Sequence, residues 1–244
     1  MLNSRKRAVS SCLSHLSFNS YDFVEPRRAR TVRALAIELA IPNLTILLQH
    51  FLFECLNPGD VHDIMAIPHT ELPYYDGAIS VVDSASSCFY GPSDLSGTGG
   101  MRKEYIRACP TWRGEGSRYD CVFVGTDPDA DGMDGYEIAR VFCFFSFAYK
   151  GVTYPCAVIR WFDKVGEEPD ELTGMWIVCP GTLPSHKPHH AIIHINSIYR
   201  AAHLIPVYGT QAIPLEIKPH HSYDVFNSFY VNRYADHHSF ELAS

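Results

Sequence analysis

The run "YEIARVFCFFSFAYKGVTYPCAVIRWFD" occupies residues 136–163. Its two halves are apolar almost throughout and meet at Lys150-Gly151, a two-residue connection of hairpin type. A half-exposed sheet alternates apolar and polar residues; this run does not, so it predicts two antiparallel strands buried on both faces, as in a small closed barrel. Pro155 cannot donate to a ladder and marks an edge or a bulge. Shorter strands are expected in "YDCVFVGT", "GMWIVCP", "HAIIHIN" and "HLIPVYG". Five or six such strands over about a hundred residues make a compact antiparallel barrel, placed at residues 118–216.

On the N-terminal side, Val32, Leu35, Ala36 and Leu39 share one helical face, and Pro26 suits a first turn. Pro42 breaks that pattern and Asn43 can cap the next helix. There Leu44, Leu47, Leu48, Phe51, Leu52 and Cys55 recur at helical spacing until Asn57-Pro58. The expectation is a basic N-terminus with a helical hairpin over residues 1–60, its arginines either reading DNA or covering a wet face. Residues 61–117 read as a loop-rich connector. In it "GAISVVDSAS" is a strand, and "SGTGG" is a plain loop ahead of a short helix in "MRKEYIRA", since no phosphate-loop lysine follows the glycines. In residues 217–244, Ser222 as N-cap and Phe226, Phe229, Tyr230, Arg233 and Tyr234 with three- and four-residue spacing (i, i+3, i+4, i+7, i+8) predict a C-terminal helix packed on the barrel. The fold class expected is therefore α+β.

Charge narrows the function. The 244-residue chain carries −7, but residues 1–33 carry seven Lys/Arg against Asp22 and Glu25, leaving about −12 on the rest. A basic head on an acidic body touches phosphate at one end only. Arg27, Arg28 and Arg30 are the candidates for that contact. Eight cysteines without a C-x-x-C pair, several inside apolar runs, read as reduced core thiols and an intracellular compartment. Glu38, Pro42, Gln49, His50 and Glu54 interrupt the most apolar stretch, so no membrane contact is expected.

Three segments invite specific chemistry. "TDPDADGMDGYE", residues 126–137, offers Asp127, Asp129, Asp131 and Gly132 as a calcium loop does, but position 12 is Ile138 and the flanks read as strands. An acidic connection between strands is the expectation there. The doublets His220-His221 and His237-His238, with Asp224 and Asp236 nearby, are candidate zinc ligands. Adjacent helical residues diverge by about 100°, so one of each doublet at most faces a shared ion, and polar capping explains them more simply. Tyr154, Trp161, Phe162 and Trp176 are candidates for an aromatic cage that binds a partner, or are barrel core. No G-x-S-x-G elbow or Cys/His signature is present, so neither an enzyme nor a cofactor is expected.

"RYDCVFVGTDPDADGM", "IARVFCFFSFAYKGVTYPCAVIRWFDKVGEEPDELTGMWIV", "IHINSIYRAAHLIPVYG" and "FYVNRYADHHSFELA" together resemble the C-terminal region of transposase-like proteins of fungal, Plavaka-type, CACTA-related DNA transposons. "FYGPSDLSGTGGMRKEYIRACPTWR" and "RARTVRALAIELAIPNLTILLQHFLFECLNP" resemble the segments before it. That resemblance implies a non-catalytic accessory domain, the nuclease core lying upstream in such proteins. More distantly, the β region resembles a bromo-adjacent-homology domain, through the "VIRWF" strand after a hairpin and "HINSIYRAAHLIPVYG". This likeness implies chromatin, DNA or protein binding in the nucleus. A zinc-binding or metal-dependent hydrolase-like domain, and a structural remnant without activity, stand as alternatives.

Overall fold

A computed structural model describes residues 15–18, 28–59, 64, 67–91, 99–210, 212–213 and 215–244. The expected Pro26 turn, Arg27 and most of the basic head lie outside them. In chain order come β1 (His15–Phe18), α1 (Val32–Glu38), α2 (Leu44–Leu56), β2 (Ile79–Val82), β3 (Ser84–Tyr90), β4 (Met101–Trp112) and β5 (Gly116–Tyr119). Then follow β6 (Cys121–Gly125), β7 (Tyr136–Tyr149), β8 (Val152–Lys164), β9 (Ile177–Pro180), β10 (His190–His194), β11 (Ile198–Ala202) and β12 (Leu204–Pro206). The chain ends with α3 (Ser222–Val225), β13 (Phe229–Val231) and α4 (His237–Leu242). The architecture is mixed α+β, mostly strands, around a nearly closed antiparallel sheet.

The β7–β8 hairpin is its spine. Lys150 at φ 49° and Gly151 at φ 81° form the tip, where two positive φ values match the twist of the flanking strands. Both strands are long enough to take two partners along their outer edges. β7 pairs with β6 through residues 136–140 and with β2 through residues 144–147. β8 pairs with β9 through residues 162–164 and with β10 through residues 156–160. Pro155 stands just beyond the last β10 pair, where no donor is needed. The sheet runs β11-β6-β7-β8-β9-β13-β12, and β11 and β12 are separated only by His203. One bent stretch therefore supplies both edges, which leaves few strand edges unpaired.

Alternation then sorts the apolar run into two layers. Ile138 and Phe162 point inward with Phe123, Val178, Leu204, Phe229 and Val231. Ala139, Val141, Ile159 and Trp161 point outward, under Ala85, Ile106 and Ala108 of β3 and β4. At the tip end, Phe145, Phe147, Cys156 and Val158 meet Leu35, Leu44, Leu48 and Phe51 of the helical hairpin. Each large side chain so buried contributes about 1.5–3 kcal/mol. Burial pushes the thiols of Cys121 and Cys143 up to about 12, so both behave as small apolar groups.

In α1, Thr31 accepts from the backbone of Ala34 at 3.2 Å as N-cap. Asn43 occupies the N-cap position of α2 but its side chain makes no capping bond. Two expectations are corrected. "MRKEYIRA" is not a helix; it opens the 12-residue strand β4, paired with β3 from Ser84↔Arg107 to Tyr90↔Met101. Residues 61–117 thus hold β2, β3, β4 and the start of β5 rather than loops alone. Nor is the tail one helix. Phe229 and Val231 enter the barrel as β13 between β9 and β12, and only His237–Leu242 form a helix of more than one turn. Closing the barrel needs a strand there, and that tertiary demand overrides the local three- and four-residue spacing.

Candidate functional site

The residues singled out in the sequence go to separate places. Trp161 lies in the outer layer, Phe162 and Trp176 in the barrel interior, and Tyr154 stacks on Phe147 at 5.3 Å beside α2. Trp161 and Phe162 are neighbours in one strand and so face opposite sides. The four rings do not form a cage: Trp161, Phe162 and Trp176 are buried in the core, and Tyr154 packs half-buried against it. Arg28 binds Glu38 at 2.6 Å and also Asp83, so its guanidinium clamps α1 to the start of β3. Burial works against that charge, and the surrounding negative groups raise its pKa nonetheless. Arg30 is exposed, and Arg27 lies outside the described residues.

The two histidine doublets are likewise kept apart. The His220 ring fills the space left by Gly116 of β5, where a Cβ would come within 2.8 Å of it, and His221 accepts from the Lys218 backbone. His237 opens α4, while His238 is buried and stacks on Phe89 of β3 at 5.1 Å. Among the described residues, no three His, Cys, Asp or Glu side chains are grouped to hold a metal. The acidic stretch is the β6–β7 connection: Asp127 accepts from the Asp129 backbone at 3.0 Å, and the Met133 N–H donates to the carbonyl of Ser244.

Charge and aromatic surface converge instead on the outer face of β4 and β5. Met101, Lys103, Tyr105 and Arg107 occupy alternate positions of β4, with Ile106 and Ala108 pointing to the core. Tyr105 is 46% exposed. Lys103 Nζ lies 5.6 Å and Arg107 Cζ 5.3 Å from its ring centre. Arg107 Cζ is also 4.9 Å from the Trp112 ring, which Arg113 and Arg118 approach at 5.4 and 5.1 Å. One indole thus sits among three guanidinium groups.

Local geometry builds this group. The β4 bulge between Cys109 and Trp112 bends the strand, so residues far apart along it come together. Arg113 at φ 52° and Gly114 at φ 77° form the hairpin tip, and a non-glycine residue there costs about 1–2 kcal/mol. Asp120 ties the corner: it accepts from Arg107 N at 2.8 Å and from Arg118 Nε at 2.8 Å, and that second bond raises the Arg118 pKa.

Residues 101–118 contain five Lys/Arg and two Glu, in a chain of net charge −7. Moreover, Glu104 faces away from the patch. Its carboxylate accepts from the Ala201 N–H and from Arg200 at 3.4 Å. Arg200 also grips Asp236 with two bonds of 2.9 and 2.7 Å, and Asp236 caps α4 through Ser239 N at 2.7 Å. Burial works against the Asp236 charge, but Arg200 and the Ser239 N–H hold its carboxyl well below the usual range; burial raises that of Glu104. This network pins β4 to β11 and α4. A small cleft lined by Phe89, Arg102, Lys103, Glu104, Arg200, Asp236 and His238 opens at this network.

No protein family matches this sequence, and no curated protein does. The patch was legible in principle: positively charged or aromatic residues at 103, 105 and 107 repeat with the period of a strand, a signal hidden by reading "MRKEYIRA" as helix.

Proposed function

We propose that this chain is a non-catalytic, nucleic-acid-binding accessory module of a transposon-derived protein, acting in the nucleus through the outer face of β4 and β5. The observation that carries this reading is Trp112 held among Arg107, Arg113 and Arg118, next to an exposed Tyr105. Cations neutralise phosphates and aromatic rings offer stacking surface; their interleaving on one face suits nucleic acid more than either alone. An acidic body confines the contact to that face and repels a polyanion elsewhere. The barrel, with its bromo-adjacent-homology-like strand plan, is the rigid scaffold in this proposal, and the contact moves from Arg28, whose charge is used internally, to β4 and β5.

A gel-shift titration against naked DNA, RNA and nucleosomes tests it. Binding that weakens steeply with salt, and that is lost in the fourfold variant Lys103→Ala, Arg107→Ala, Arg113→Ala, Arg118→Ala, is the expected result. Unchanged binding by that variant overturns the assignment of the face. Binding to nucleosomes but not to naked nucleic acid would point to a protein ligand instead.

A further inference from the structure

Resting on the nucleic-acid reading above, we infer that the β4–β5 face takes a single strand, with one base on Tyr105, a neighbouring base on Trp112 and the phosphate between them on Arg107. Three observations lead there. First, a duplex stacks its bases on one another and offers a protein only base edges and phosphates, for which exposed rings have no special use. A single strand offers base faces, and those stack on aromatic side chains whatever the sequence.

Second, one cation is shared by the two rings. Arg107 Cζ lies 5.3 Å from the centre of Tyr105 and 4.9 Å from that of Trp112, so the two centres are no more than about 10 Å apart. Successive nucleotides alternate base and phosphate in the same way. Stacked nucleotides repeat at about 3.4 Å. Two separate protein rings that share a guanidinium suit bases pulled off each other, each lying on its own ring.

Third, the arginines around Trp112 differ in how firmly they are held. Arg118 is tied to Asp120 by bonds of 2.8 and 3.2 Å, whereas Arg107 and Arg113 approach the indole through ring contacts. Exposed cation–π contacts of this kind are weak. An incoming base can displace such a guanidinium from the ring face, and the freed group then reaches the adjoining phosphate. The ring and its cations thus serve one ligand together. An acidic peptide would engage the same cations but has no flat base to place on the rings. The sugar type is left open by this chemistry, because every base has a stacking face in DNA and RNA alike.

The test uses the full chain and fluorescein-labelled oligothymidylate and oligouridylate of about 20 nucleotides, longer than one sheet platform requires. A blunt DNA duplex of equal length and an unlabelled poly-glutamate competitor complete the set. Fluorescence anisotropy is expected to show the single strands bound at least about 10-fold tighter than the duplex. Trp112→Ala and Tyr105→Ala should each weaken single-strand binding about 5- to 150-fold, with duplex binding and the unfolding transition little changed, and Trp112→Phe should keep most of the affinity. Duplex binding equal to or tighter than single-strand binding, with Trp112→Ala silent, overturns the single-strand inference while leaving the basic face as a nucleic-acid contact. No binding of any oligonucleotide overturns both. Displacement by poly-glutamate as effective as by unlabelled oligonucleotide overturns both as well and marks an acidic protein segment as the ligand.

Discussion

Two hairpins of this molecule use the same side chains to opposite ends. In β7–β8, Arg140 is buried; its guanidinium lies 5.1–5.6 Å from the rings of Tyr119, Phe142 and Tyr223 and grips Asp224 at 2.6 Å. In β4–β5, Arg107 and Arg113 make ring contacts of nearly the same length, but at the surface. The tips also match, Lys150-Gly151 in one and Arg113-Gly114 in the other, each with two positive φ values. The difference is what covers the second face. Layers of apolar side chains lie on both sides of β7–β8, so its cation–π contacts are part of the fold. Among the described residues, apolar side chains cover only the inner face of β4 in this way, which leaves its contacts free to exchange for a ligand. Ring-to-guanidinium distance alone therefore says nothing about role; burial and a carboxylate partner do.

Replacing one tryptophan in each hairpin should separate them most widely. Trp161→Ala removes an indole that is 6% exposed and should cost about 3–5 kcal/mol in urea unfolding, enough to threaten the fold. Trp112→Ala should cost less than about 1 kcal/mol there, yet lose about 1–3 kcal/mol of single-strand affinity. A Trp161 variant that unfolds normally and fails only in binding would reverse the two roles.

The arginines give the next contrast. Asp224→Ala takes away the carboxylate that Arg140 holds and leaves a buried guanidinium with ring contacts, at a cost of about 1–3 kcal/mol. Arg107→Ala, by comparison, should change unfolding by no more than about 0.5 kcal/mol. Equal losses in the two unfolding curves would mean that the outer face of β4 is as structural as the barrel.

How much of this contrast the residues announce depends on the range of the forces involved. The β7–β8 hairpin is local: its tip is Lys150-Gly151 and its apolarity is continuous, so strand, turn and two-sided burial can all be read along one run. The helical hairpin is local too. β4 is not. Arg102, Lys103, Glu104 and Arg107 are good helix formers, and only pairing with β3 makes the segment extended. β13 has three residues, and its partners lie about 25 and about 50 residues away in sequence, a demand no local window contains. For the candidate cage the residue types were suggestive, but adjacency of Trp161 and Phe162 in a strand already sends the rings to opposite faces.

Acid should act on the two regions differently. His190 on β10 packs edge-on against Phe142 of β7, and burial, then the charge of Arg160 on β8 and His189, lowers its pKa to about 4. The unfolded chain takes up that proton near pH 6.5 while the folded chain resists until about pH 4, so His190 withdraws stability as pH falls through that window. His50, His194 and His238 are also lowered and add in the same direction. Glu104, with its raised pKa, opposes them at the acid end, since the folded state then holds the extra proton. His190→Gln should therefore flatten the fall in stability between about pH 6.5 and 4 by about 1–2 kcal/mol. Lysine and arginine do not titrate in this range, so affinity for a single strand at pH 6 and at pH 8 should agree within about twofold. A steep pH dependence of affinity would place a histidine in the contact.

The smallest effect is the most specific to the proposed face. Each phosphate neutralised on a single strand contributes about 0.7 to the slope of log affinity against log salt concentration. Lys103, Arg107, Arg113 and Arg118 together imply a slope of about −2 to −3. Lys103→Ala should lower its magnitude by about 0.7, with the same loss on oligothymidylate as on oligouridylate, because a phosphate contact carries no base information. Trp112→Ala, in contrast, should shift the whole line downward and leave its slope nearly unchanged, since stacking releases no counterions. If Trp112→Ala also flattens the slope, its ring organises Arg107, Arg113 and Arg118 rather than stacking on a base, and β4–β5 resembles β7–β8 more than its exposure suggests.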